Sequence, residues 1–129
     1  MRSDFDTRYS YFPSITKPII AAVNGPAVGL GLILALYCDL RFATRKARFG
    51  TAFARRGLIA EFGTAWILSR LIGPARALDL LLSARMVDAA EAEKIRLVDL
   101  PGLEMEASLS TADFREGVAH FWLNTSPAF

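Results

Sequence analysis

Pro18 to Cys38 reads PIIAAVNGPAVGLGLILALYC and carries no charged side chain. A run of that length raises the question of a membrane span, which needs about 20 apolar residues. Asn24, Gly25, Pro26, Gly29 and Gly31 break it in the middle. The better reading is a buried strand, a glycine turn and a buried helix. Pro18–Val23 is a short continuous apolar run bounded by Pro and by Asn24-Gly25, which predicts a strand buried on both faces. Gly25–Gly29 predicts a turn. Gly29–Tyr37 is apolar on every side, as expected of a helix in the core. Gly31 weakens that helix by about 1 kcal/mol relative to Ala.

Working outward, Cys38–Ala43 alternates and predicts a second strand, and Ala47–Gly50 a third. The rest reads as helical. Gly63-Thr64 caps Ala65–Ile72, with Gly73 as its stop. Pro74 opens Ala75–Leu82 at the position where proline is best tolerated. Asp88, with Glu91 three residues on, makes a capping-box start for Ala89–Arg96. Leu97-Val98-Asp99 predicts a short strand. Ser110 and Asp113 open a last helix through Phe121. Strand, helix, strand and then helices define an α/β class. Residues 1–17 lack strong periodicity. Neither an internal repeat nor a domain-dividing linker is visible, so residues 1–129 are expected to form a single domain.

The 129 residues, 53% hydrophobic and 22% charged, are a globular composition. A net charge of +2 is too mild for a nucleic-acid binder or a polybasic membrane anchor. One cysteine forbids an internal disulfide and fits a reducing, cytoplasmic setting. The opening residues, MRSDFDTRYSYF, show no apolar leader.

Small residues at Gly25–Gly29 let a ligand approach the backbone. The helix beyond them begins with N–H groups that lack intrahelical partners, and these suit an anion or a developing oxyanion. The P-loop pattern is absent. The dinucleotide fingerprint fails because Leu34 stands where its third glycine belongs. A turn whose glycines merely permit close packing is the plainer alternative. No cluster of His, Cys or acids has metal-site spacing.

Lys17-Pro18-Ile19-Ile20-Ala21-Ala22-Val23-Asn24-Gly25, Gly29-Leu30-Gly31, Cys38-Asp39 and Phe49-Gly50 resemble the enoyl-CoA hydratase/isomerase (crotonase) superfamily. The resemblance continues through Arg55–Glu61, Gly63, Arg70, Gly73 and Leu97-Val98-Asp99, and resumes at Asp113–Ala119. It implies a partial crotonase-like spiral of ββα units with C-terminal helices, shortened at the front and again between residues 100 and 112. It implies hydration or isomerisation of a 2-enoyl-CoA in fatty acid metabolism. Coenzyme A enters as part of the acyl-CoA substrate, with no separate cofactor. It also implies a homo-oligomer, a trimer or hexamer.

In that frame the Leu30 N–H is an oxyanion-hole donor, and Gly25, Pro26, Gly29, Ile33 and Phe53 line the substrate. Ile33 and Phe53 fall where a hydratase carries its two carboxylates. They can shape an apolar pocket but cannot move a proton. Glu61 remains as the candidate acid or base, with burial against Phe53 and Phe62 expected to tune it. The plainer alternative is a solvated Glu near a helix start. Arg55-Arg56 can meet CoA phosphates, or pair on the surface with Glu61 or another acid. His120 has no partner at useful spacing. Cys38 reads as an inert core thiol, Asp39 as an acceptor for backbone donors, and Trp66, Leu68 and Leu71 as core or interface. The resemblance leaves open whether so shortened a chain is active. The alternative function is an inactive self-associating or acyl-CoA-binding module.

Overall fold

The computed structural model describes residues 11–101. The helix expected at Ser110–Phe121, and His120 within it, lie outside the described residues. The strands are β1 (Ile20–Val23), β2 (Pro26–Val28), β3 (Leu40–Ala43), β4 (Arg48–Gly50), β5 (Val87–Asp88) and β6 (Leu100–Pro101). The helices are α1 (Leu30–Tyr37), α2 (Thr64–Ile72), α3 (Pro74–Ser83) and α4 (Ala89–Lys94). Short 3-10 turns occupy Phe12–Ser14 and Ala54–Arg56. This is the α/β class expected.

Two small sheets organise the molecule. One has the order β1-β3-β6 and the other β2-β4-β5, with β5 antiparallel to β4 and every other pairing parallel. Ile20 pairs with Leu40 in the first sheet, and Pro26 with Arg48 in the second. The chain therefore passes twice through the same course, β1-β2-α1 and then β3-β4-α2. A structural repeat exists where the residues show none, because backbone pairing fixes the course while side chains diverge.

Three expectations need correction. Gly25–Gly29 is not purely a turn, since Pro26–Val28 forms β2. Pro26 can open that strand because a first strand residue need not donate to the ladder. β1 is not buried on both faces: Ile20 is 57% exposed, and among the described residues the strand lies at the edge of its sheet. An apolar run does not specify whether both flanks are covered. Leu97-Val98-Asp99 is a bend leading into β6, because those residues close the end of α4. Leu97 N–H and Val98 N–H both bond Ala92 O, at 2.8 and 3.4 Å.

The helices otherwise follow their signals. Gly63 caps α2 at φ +66°, Pro74 opens α3, and the Asp88 carboxylate accepts from Glu91 N–H at 2.8 Å to start α4. Asp39 accepts from Ile19 N–H at 2.7 Å, which ties β1 to the start of β3. One core cluster joins Leu32 and Leu36 of α1, Phe49 of β4, Leu68 and Ile72 of α2, and Leu97. Leu68 is buried and Leu71 half-buried, while Trp66 is exposed and carries the Arg70 guanidinium 4.6 Å over its ring. Among the described residues no helix is long and apolar enough to cross a membrane.

Candidate functional site

The junction between β2 and α1 sets the site. Gly29 adopts φ +56°, a conformation costly for side chains with a Cβ, and its N–H bonds Gly50 O at 2.9 Å. This bond seats the bend on the end of β4. The first hydrogen bond of α1 runs from Ile33 N–H to Gly29 O at 3.1 Å. The Leu30 N–H therefore has no acceptor within the helix, and it carries the positive end of the helix dipole.

Beside it lies a cavity of about 620 Å³. Val28, Gly29, Leu30 and Ile33 form one wall. Thr51, Ala52, Phe53 and Arg56 form a second, and Leu58, Glu61 and Phe62 a third. Five expected site residues thus share one space: Gly29, Leu30, Ile33, Phe53 and Glu61. Gly25 and Pro26 do not border it. They belong to the β2–β4 ladder, where Arg48 N–H reaches Gly25 O at 3.4 Å. Ile33 and Phe53 are buried.

Glu61 is exposed, not enclosed between Phe53 and Phe62 as expected. Phe62 is only half-buried. The loop itself is well held. Glu61 O accepts from Thr64 N–H at 3.0 Å and from Thr64 Oγ1 at 2.5 Å. Phe62 O accepts from the Tyr37 hydroxyl at 2.7 Å, and Phe12 stacks on the Tyr37 ring at 5.7 Å. Burial pushes the Tyr37 hydroxyl pKa up, so it stays a donor well above neutral pH.

The cavity rim also stores backbone strain. Ala52 and Phe62 hold φ of +60° and +53°, each next in sequence to a site residue, Phe53 and Glu61. Such non-glycine conformations cost on the order of 1 kcal/mol or more each and gather at functional sites. Thr51, next to Ala52, donates from Oγ1 to Leu80 O at 2.9 Å, which anchors the second wall to α3. Thr51, Thr64 and Tyr37 were missed as site supports. Thr51 and Tyr37 bond Leu80 O and Phe62 O, 29 and 25 residues away, and no local pattern marks such a pairing. Thr64 bonds Glu61 O three residues back, a local hydroxyl-to-backbone signal that the sequence does carry.

Cys38 is half-buried and donates its thiol to Leu34 O at 3.3 Å. Burial raises its pKa, as an inert thiol requires. Among the described residues no group of three His, Cys, Asp or Glu side chains could hold a metal ion.

The geometry meets a set of matching proteins. The family model for enoyl-CoA hydratase/isomerase matches residues 1–101. A probable enoyl-CoA hydratase of Mycobacterium tuberculosis is 51% identical over 83 residues, 64% of this chain and 29% of that protein. A probable enoyl-CoA hydratase of Rhizobium meliloti is 40% identical over 114 residues, 86% of this chain and 44% of that one. Among solved structures, a probable enoyl-CoA hydratase/isomerase from Mycobacterium abscessus superposes with TM-score 0.68 at 47% identity, covering 70% of this chain and 35% of the other. A putative enoyl-CoA hydratase from Thermobifida fusca, in complex with acetoacetyl-CoA, gives TM-score 0.65 at 36% identity over 78% and 40% of the two chains. The chain belongs to the enoyl-CoA hydratase/isomerase family and has its crotonase fold. It spans less than half the length of these relatives.

Proposed function

We propose that this chain binds an acyl-CoA thioester in the cavity and catalyses proton transfer on it, as a hydratase or isomerase of 2-enoyl-CoA. One observation supports the reading: Leu30, whose N–H has no acceptor among the described residues, and Glu61 line the same largely apolar cavity. The thioester carbonyl rests against the Leu30 N–H. As a proton leaves or joins the acyl chain, negative charge moves onto that oxygen, and the N–H bonds it more strongly than in the ground state. Glu61 takes or delivers the proton. Ile33 and Phe53 keep the acyl chain dry and in place.

Among the described residues Glu61 is the one carboxylate on the cavity. A single carboxyl suits carrying one proton between two carbons better than activating water and protonating carbon at once. That favours isomerisation within the two chemistries. An open cavity with an unengaged donor favours an active site over a purely self-associating module. The exposed Ile59, Trp66, Leu78 and Leu82 support assembly into a homo-oligomer. The free Cys38 agrees with a cytoplasmic setting.

The test follows conversion of a short enoyl-CoA by the change in thioester ultraviolet absorbance. Glu61→Gln should lower kcat by about a hundredfold or more, with KM little changed. Turnover unchanged in Glu61→Gln would remove Glu61 from the mechanism.

A further inference from the structure

The cavity holds one positive side chain that the proposed chemistry does not use. Arg56 lies on its wall, and among the described residues no ion pair or hydrogen bond engages its guanidinium. It does not pair with Glu61, the acid on the same cavity. Arg41 bonds Leu97 O and Cys38 O, Arg85 bonds Asp79 and Glu91, and Arg70 covers Trp66, while Arg45, Arg55, Arg76 and Arg96 are exposed and border no part of this cavity. Arg56 also springs from a fixed base. Arg56 N–H and Leu58 N–H both bond Phe53 O, at 2.9 and 3.0 Å, so the turn that presents the guanidinium is tied to a buried wall residue.

We propose that Arg56 selects acyl groups carrying a carboxylate remote from the thioester. The inference rests on the acyl-CoA reading above and names the class of acyl chain. A guanidinium offers a planar pair of donors that matches one carboxylate in charge and geometry. The neighbouring Leu58, Phe53 and Phe62 are apolar and give the arginine stem and the acyl chain a surface to lie on. The phosphates of CoA would also satisfy an arginine. They carry several negative charges, whereas Arg56 is the single cation on this cavity among the described residues. The two charges also orient the ligand. An anionic end is repelled by Glu61 and drawn to Arg56, which leaves the neutral thioester end facing Glu61 and the Leu30 N–H.

The experiment measures binding of three ligands to the full chain by calorimetry: glutaryl-CoA, pentanoyl-CoA and CoA itself. The two thioesters have the same chain length and differ in the terminal carboxylate. The wild type should bind glutaryl-CoA about tenfold or more tightly than pentanoyl-CoA, the size expected of a charge-assisted pair. Arg56→Met should abolish that preference and leave pentanoyl-CoA affinity within about twofold, and Arg56→Lys should restore part of it. Equal wild-type affinity for the two thioesters overturns the inference while leaving the acyl-CoA reading intact. So does an Arg56→Met variant that loses affinity for all three ligands alike, because Arg56 would then contact the phosphates. Failure to bind either thioester overturns both. The wild-type comparison decides the matter even if the variants do not fold.

Discussion

Two regions of this molecule hold their loops by opposite means. Where β3 and α4 meet β6, and where Arg85 bridges α3 to α4, charge is used up internally. Arg41, 5% exposed, donates from Nε to Leu97 O at 3.0 Å and from Nη1 to Cys38 O at 2.6 Å. Its backbone N–H bonds the Asp99 carboxylate at 2.7 Å, and Asp99 N–H returns a bond to Arg41 O at 2.8 Å. Arg85 reaches Asp79 and Glu91 at 2.9 and 2.6 Å. On the cavity side, Arg56 and Glu61 have no such side-chain partners among the described residues, and the loops are held through backbone carbonyls instead. Thr51, Thr64 and Tyr37 fix the walls, and the reactive side chains stay available. The lesson is that a charge that lines a cavity and has nothing to hold in the fold marks a place where a ligand is expected.

That contrast can be broken by variants of the same chemistry on the two sides. Arg41→Met should show the largest stability loss, about 3 kcal/mol in urea unfolding, because it strands the Leu97 and Cys38 carbonyls and removes the guanidinium beside Asp99. Arg56→Met should cost under about 0.5 kcal/mol, since the side chain is exposed and engages nothing that the fold needs. Equal losses at the two positions would erase the distinction between clamp and cavity.

A smaller effect concerns Arg85. Its hydrogen bonds hold the Glu91 carboxyl below its ordinary value of 4.5, partly opposed by burial. A carboxyl with a lowered folded pKa adds stability that is present above its unfolded value and lost as pH falls through the folded one. Arg85→Ala should therefore lower stability at neutral pH and flatten its decline below about pH 4.5. The size should stay under about 1 kcal/mol, because Arg85 is 39% and Glu91 36% exposed and water screens the pair. Parallel acid-unfolding curves for the two proteins would contradict this.

Much of the frame was legible in the residues, and the reasons are local. Uniform apolarity predicted α1, Pro74 opened α3, and the Asp88 carboxylate capped α4. β2 was hidden because Gly25, Pro26 and Gly29 advertise a bend more loudly than three residues advertise a strand. The exposure of β1 was hidden because an apolar run does not say what covers it. In the site, Leu30 and Ile33 could be placed because they follow a glycine bend into a helix. Arg41 and Tyr37 could not, since they act on residues 56 and 25 positions away and nothing local records the pairing.

The central claim is that the Leu30 N–H bonds the substrate oxygen, and proline tests it directly. Proline at the first residue of a helix removes the N–H and is otherwise well tolerated there. Enoyl-CoA turnover should fall about a hundredfold or more in Leu30→Pro relative to Leu30→Ala, with both variants folded by circular dichroism. Turnover in the folded proline variant within about threefold of the alanine variant would show that this N–H stabilises no oxyanion, and would contradict the account.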